Sequence, residues 1–235
     1  MHGKLQLWLA APEAAQHFDP AQLTEPERVR MARLRRAAKR QDFAVSRALR
    51  AHVRLNAAHP ASESLSHSGG YAALAQAHPA LRIGVDLEVH RPRDVLATAR
   101  TAFSEAEAHA LEGAAGAERA RLFYAMWTVK EALAKALQLH LLDALRSCVL
   151  VVDGPEWQAR APTSSAGSVA VYQPRADLTL AVASIGASPA IECWSWPPQR
   201  PAPWPLIAAI SLGAAGAPAA TDRESADAAH AAAPA

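Results

Sequence analysis

The chain has 235 residues, enough for one large domain or two small ones, and its 51% hydrophobic content is swollen by alanine. Its two cysteines, Cys148 and Cys193, have no metal-ligand spacing, so a disulfide framework and a zinc site are set aside and reduced thiols in the cytoplasm are expected. Residues 5–11 are too short an apolar run for a signal peptide, and the apolar stretch at 205–220 is broken by Pro and Gly, so no membrane span is expected. The formal net charge of +2 conceals an uneven distribution.

Leu5–Ala10 reads as a strand. Residues 25–58 read as one or two helices, and the charge collects there. Residues 27–54 hold ten Arg or Lys (Arg28, Arg30, Arg33, Arg35, Arg36, Lys39, Arg40, Arg47, Arg50, Arg54) against Glu27 and Asp42, a local +8 that leaves the rest of the chain at −6. Such a segment suits a ligand with several phosphates or an acidic protein partner. Nucleic acid is the rival partner, but no zinc-finger spacing or Arg-rich motif interleaved with aromatics supports it.

Residues 71–76 and 81–88 read as strands joined around His78-Pro79. In the second, Leu81, Ile83, Val85 and Leu87 alternate with Arg82, Gly84, Asp86 and Glu88, so Asp86 and Glu88 share a face with Cα atoms roughly 7 Å apart. Two carboxylates that close repel if buried, and a hard cation relieves the repulsion. On a half-exposed strand the same pair would simply face water.

Ser104 is a plausible N-cap for the next helix, with Glu107 at its capping-box position. Residues 119–139 read as one long helix. Leu122, Met126, Val129, Leu133, Ala136 and Leu137 form its core stripe, while Tyr124, Trp127, Glu131 and Lys135 fall on the opposite side. Lys130 lies near the core margin, from which it could snorkel outward. An ordinary solvated Glu–Lys pair is the alternative for Glu131 and Lys135. Exposed aromatics beside them point instead to a binding surface. Residues 148–152, 169–173 and 178–184 read as strands. From residue 197 Pro, Ala and Gly dominate, and a disordered tail over 197–235 is expected.

Three segments carry a resemblance: Gly84-Val85-Asp86-Leu87-Glu88; Phe123-Tyr124-Ala125-Met126-Trp127-Thr128-Val129-Lys130-Glu131-Ala132-Leu133-Ala134-Lys135; and Leu65-Ser66-His67-Ser68-Gly69-Gly70-Tyr71 upstream of both. Their order and spacing resemble 4'-phosphopantetheinyl transferases of the Sfp type, over roughly residues 25–185. The resemblance implies an α+β pseudo-dimer of two similar halves, here 1–83 and 84–196, with the active site at their interface. It implies Mg2+ on Asp86, Glu88 and Glu131, and coenzyme A as donor. Ser66, His67, Arg40, Arg47, Lys130 and Lys135 would contact the coenzyme, with Arg28 as a further candidate. Glu131 and Lys135 would be catalytic.

The implied activity moves the 4'-phosphopantetheine arm to a serine of an apo acyl or peptidyl carrier protein and releases 3',5'-ADP. Two fused halves would make a monomer sufficient. The family's Gly-Lys-Pro stretch is missing from residues 56–64. Ala136-Leu137-Gln138-Leu139-His140 replaces its Gly-Lys-Gly, which suggests a longer helix. A non-catalytic relative that still binds a carrier protein or coenzyme A is the alternative reading, and a basic nucleic-acid-binding domain is a further one.

Overall fold

A computed structural model describes residues 4–55, 61–153, 156–163 and 165–213. Strand β1 (Leu5–Ala10) leads through two short 3-10 turns to helices α1 (Glu25–Arg33) and α2 (Ala37–Leu55). Three strands follow: β2 (Ser62–Ser68), β3 (Tyr71–Ala77) and β4 (Arg82–Val89). Next come helices α3 (Val95–Ala102), α4 (Glu105–Gly113), α5 (Gly116–Leu137) and α6 (Leu141–Ser147). The chain closes with β5 (Val149–Asp153), β6 (Glu156–Arg160), β7 (Gly167–Arg175), β8 (Leu178–Ile185), β9 (Ile191–Trp196), β10 (Arg200–Pro201) and β11 (Leu206–Gly213). The mix is the expected α+β class.

The strands form two sheets, ordered β10-β9-β1-β3-β2 and β4-β8-β7-β11-β6-β5. Pairing is antiparallel except for β1 with β9 and β6 with β11. Period-two burial explains how they stack. Leu5, Leu7 and Leu9 of β1 meet Ile83, Val85 and Leu87 of β4 and Leu178, Leu180 and Val182 of β8 in a core between the sheets. Trp8, Ala10, Ala72 and Leu74 point the other way, onto Val45, Leu49 and Val53 of α2. Ala181, Ala183 and Ile185 of β8 likewise face Met126, Val129 and Leu133 of α5. The layers therefore run α2, first sheet, second sheet, α5.

Three expectations change. First, residues 200–201 and 206–213 are strands rather than disordered tail: Ala208, Ile210 and Leu212 of β11 are buried in its sheet. The remainder of the expected tail, 214–235, lies outside the described residues, as do residues 56–60 of the segment lacking Gly-Lys-Pro. Second, β9 returns to the first sheet beside β1, so sheet membership does not follow a division at residues 84 and 196. Third, α5 runs only two residues past its motif, to Leu137, and not through residue 139. Gln138 adopts a left-handed conformation (φ 57°) and ends the helix, the role a glycine would ordinarily fill.

Candidate functional site

The carboxylate cluster lies between β4 and α5. Ile83, Val85 and Leu87 turn β4 into the inter-sheet core, so Gly84, Asp86 and Glu88 face the helix. Gly84 permits close contact: a Cβ there would sit 2.0 Å from the Ala132 carbonyl oxygen and 2.7 Å from the Ala136 nitrogen. With the backbones this near, Glu131 and Lys135 reach across to the strand. Ligand atoms of Asp86, Glu88 and Glu131 lie within 4.8 Å of one another. Lys135 Nζ donates to Asp86 Oδ1 at 2.8 Å and to the Val85 carbonyl at 2.7 Å.

Strand β2 supplies the third wall. Its four serines recur every second residue, and the last three bond to β4. Ser64 Oγ accepts from Val85 N at 2.9 Å, Ser66 Oγ donates to Asp86 Oδ1 at 2.8 Å, and Ser68 Oγ donates to Glu88 Oε2 at 2.8 Å. Hydroxyls thus bridge the neighbouring edges of the two sheets. Gly69 and Gly70, both at positive φ, close the β2–β3 hairpin immediately after Ser68.

The electrostatics are those of crowded carboxylates. Burial, with Asp86 and Glu88 adding repulsion, raises Glu131 to about 7 even though Lys135 and a hydrogen bond from Trp127 oppose the rise. Burial likewise raises Glu88, against the Ser68 hydrogen bond that lowers it. Asp86 is 2% exposed, and its Oδ2 is a buried acceptor without a hydrogen-bond partner. An orphaned oxygen facing two more carboxylates is a donor set that a hard divalent cation fits. The strand pair is therefore not the water-facing alternative.

The raised Glu131 has a consequence for stability. Between its ordinary value of 4.5 and about 7, the native state keeps a proton that the unfolded chain has lost, so stability falls as pH rises through that window. Glu88 acts in the same direction. Melting temperatures of the metal-free protein should fall from about pH 5 to about pH 8, and Mg2+ should restore more at the higher pH. A flat profile with no response to Mg2+ would contradict the cluster as described.

Other expected contacts lie elsewhere. Lys130 does not snorkel outward; it is 0% exposed, 2.9 Å from Glu107 Oε1, and donates to the carbonyls of Leu145 and Cys148. Ser104 and Glu107 form the expected capping box, and the same Glu107 also accepts from Leu150 N at 2.8 Å. Lys130 is thus internal wiring among α4, α5 and β5 rather than a ligand contact. Tyr124 is also buried, its hydroxyl bonded to the backbone of Arg91 and its ring stacked on His90. Trp127 packs on Phe103 and Phe123.

Half of the basic segment is neutralised: among the described residues Arg28, Lys39, Arg47, Arg50 and Arg54 are ion-paired, and Arg30, Arg33, Arg35, Arg36 and Arg40 are not. Arg47 pairs with Glu27 at 2.7 Å and lies over the Phe43 ring. Arg50 and Arg54 share Glu63, and Arg28 pairs with Glu25. Arg40 is exposed and donates to the carbonyls of Leu34 and Arg35. Neither Arg40 nor Arg47 contacts the carboxylate cluster. His67, one residue from Ser66, points to the opposite side of β2, with Nδ1 4.0 Å from Asp42 Oδ2. Burial depresses its pKa; the facing Asp42 opposes this, and Lys39 and Arg30 add to it. The structure brings together Ser66, Asp86, Glu88, Glu131 and Lys135. It adds Ser64, Ser68 and Trp127 at the cluster, and Arg30, Lys39 and Asp42 around His67. The alternation of Ser62, Ser64, Ser66 and Ser68 was the one signal that could have revealed the serine seam.

The site and fold define an α+β protein with a carboxylate trio and a lysine between a strand and a long helix. Residues 82–182, which contain all four of those groups, match the sequence model of the 4'-phosphopantetheinyl transferase superfamily. A Synechocystis sp. protein named "Putative 4'-phosphopantetheinyl transferase" is 38% identical over 74 residues, 31% of this chain and 30% of that protein. The match therefore spans under a third of the relative's length. Among the described residues no helix is long and apolar enough to cross a membrane.

Proposed function

We propose that the protein transfers the 4'-phosphopantetheine arm of coenzyme A to a serine hydroxyl of an apo acyl or peptidyl carrier protein, releasing 3',5'-ADP. The observation that carries this reading is the trio of buried Asp86 and half-buried Glu88 and Glu131, with the orphaned Asp86 Oδ2 and Lys135 beside it, inside the stretch that matches the superfamily. These three carboxylates would hold Mg2+. Bound there, the ion supplies Lewis-acid polarisation of pyrophosphate oxygens.

The chain's own groups account for the remaining chemistry. Lys135 spends two N–H donors on Val85 O and Asp86 Oδ1, and the ammonium has a third to offer a phosphate oxygen. Glu131, reaching across from α5 to the cluster, is the group placed to take the serine proton as the new O–P bond forms. The pyrophosphate P–O bond breaks, and its electron pair leaves on the 5'-phosphate of 3',5'-ADP. On this reading His67, with Arg30 and Lys39 near it, offers a second phosphate contact on the far side of β2. The two sheets would correspond to the two halves of a pseudo-dimer, with the ligand held between them.

The decisive experiment incubates the protein with coenzyme A, Mg2+ and an apo carrier protein and measures the carrier's intact mass. One added phosphopantetheine, lost with EDTA, supports the reading. No addition to fatty-acid, polyketide or peptide carriers would overturn it. Within this scheme Lys135→Ala should lower kcat about a hundredfold while changing coenzyme A affinity less. A loss confined to affinity would reduce Lys135 to a binding residue.

A further inference from the structure

Ser64, Ser66 and Ser68 make one seam, yet their hydroxyls meet different kinds of group. Ser64 Oγ meets backbone, accepting from Val85 N at 2.9 Å. Ser68 Oγ accepts from Val89 N at 3.3 Å and also donates to Glu88 Oε2 at 2.8 Å. Ser66 Oγ and Lys135 Nζ both occupy Asp86 Oδ1 at 2.8 Å, which leaves Oδ2 as the orphaned oxygen. Trp127 donates to Glu131 from one turn earlier on α5. Every carboxylate of the trio therefore carries a fixed donor from the protein. One oxygen of Asp86 and one of Glu88 are taken, and one of each remains.

Among the described residues Ser68 is the one hydrogen-bond donor on the Glu88 carboxylate. Arg93 and Arg91 favour the Glu88 charge from the loop after β4 without reaching ion-pair distance of it. Ser68 is buried, at 9% exposed, so solvent is poorly placed to stand in for its hydroxyl. The turn that follows holds it against β4. Gly69 has φ +59°, and a Cβ there would lie 2.7 Å from Val89 Cγ2, so only glycine lets the hairpin approach β4 this closely.

We infer that Ser68 sets the cation preference of the cluster. Holding Oε2 restricts Glu88 to one ligand oxygen, Oε1, as Ser66 and Lys135 restrict Asp86 to Oδ2. Carboxylates that each offer one oxygen suit Mg2+, which demands near-octahedral geometry and keeps several of its waters. Ca2+ takes about six to eight oxygens and accepts both oxygens of a carboxylate, which a tethered Glu88 withholds. Ser68 is thus a positioning residue: it acts through Glu88, and outer hydroxyls of this kind commonly tune metal affinity. The inference rests on the proposed Mg2+ site and deepens it.

The test titrates the full chain, freed of metal, with Mg2+ and separately with Ca2+ by calorimetry, in wild type, Ser68→Ala, Ser68→Thr and Ser64→Ala. Wild type should bind Mg2+ more tightly than Ca2+. Ser68→Ala should raise the Mg2+ Kd about tenfold while the Ca2+ Kd moves less than about threefold, so the preference shrinks. Ser68→Thr, which keeps the hydroxyl, should restore it. Ser64→Ala is the control: it too removes a hydroxyl bonded to a β4 backbone nitrogen, but one that holds no carboxylate, so it should keep the wild-type preference. An unchanged preference in Ser68→Ala would overturn the inference. So would an equal change in Ser64→Ala, which would trace the effect to the seam as a whole, or a wild type with no preference for Mg2+. A wild type that binds neither cation would overturn it together with the proposed metal site. A Ser68-dependent preference in a protein that adds no mass to any carrier would sink the transferase reading and leave the role of Ser68 standing.

Discussion

Asp86→Asn should abolish phosphopantetheine transfer, lowering kcat by about 10^3-fold, while shifting the melting temperature by only a few degrees. Asparagine matches aspartate in shape and keeps an acceptor for Ser66 Oγ and Lys135 Nζ, so the seam between β2 and β4 should survive. What it removes is the charge at the most buried member of the trio, whose second oxygen has no other partner. Binding of Mg2+ should weaken in parallel, measured directly by calorimetry. Turnover within about tenfold of wild type would remove Asp86 from the proposed metal set.

The second large effect falls on stability. Lys130→Ala leaves Glu107 buried without its cation, and losses of about 3–5 kcal/mol are ordinary for breaking such a pair. Glu107 also caps α4 and accepts from Leu150 N, so the damage should spread to the packing of β5. A paired replacement, Lys130→Met with Glu107→Gln, should recover much of the loss, because no uncompensated charge remains. Urea unfolding of the three proteins gives the comparison. Where Lys130→Ala remains folded, its coenzyme A affinity should match wild type, as expected of a lysine with no access to ligand. A stability change under about 1 kcal/mol would show that the pair contributes little.

The elements that depend on local pattern were readable from the chain. The alternation of β4 placed Asp86 and Glu88 on one face, helical spacing aligned Glu131 with Lys135, and Ser104 with Glu107 marked the start of α4. What escaped depended on distant partners. Lys130 sits at the margin of a helical wheel, and only the return of Glu107 from α4 makes that margin an interior. Arg47 belongs to a charge run by sequence, yet Glu27 of α1 answers it. Tyr124 looked solvent-facing because helical periodicity cannot see that residues 90–93 cover it. The Pro- and Ala-rich composition after residue 197 obscured β11, whose buried side chains are Ala208, Ile210 and Leu212.

The parallel pairing of β1 with β9 places the first strand of the chain next to one of the last, with Leu5 opposite Ile191. During synthesis, at about 5–20 residues per second, β1 must wait until residues 191–196 are made before it meets that neighbour. The second sheet waits longer, because β11 fills an interior place between β7 and β6. A nascent chain halted near residue 197 would carry β5 and β6 with no connection to the rest of their sheet. Maturation of this fold is therefore a late, closing event, and the strand and helix that carry the carboxylates are made well before the last strand that braces their sheet.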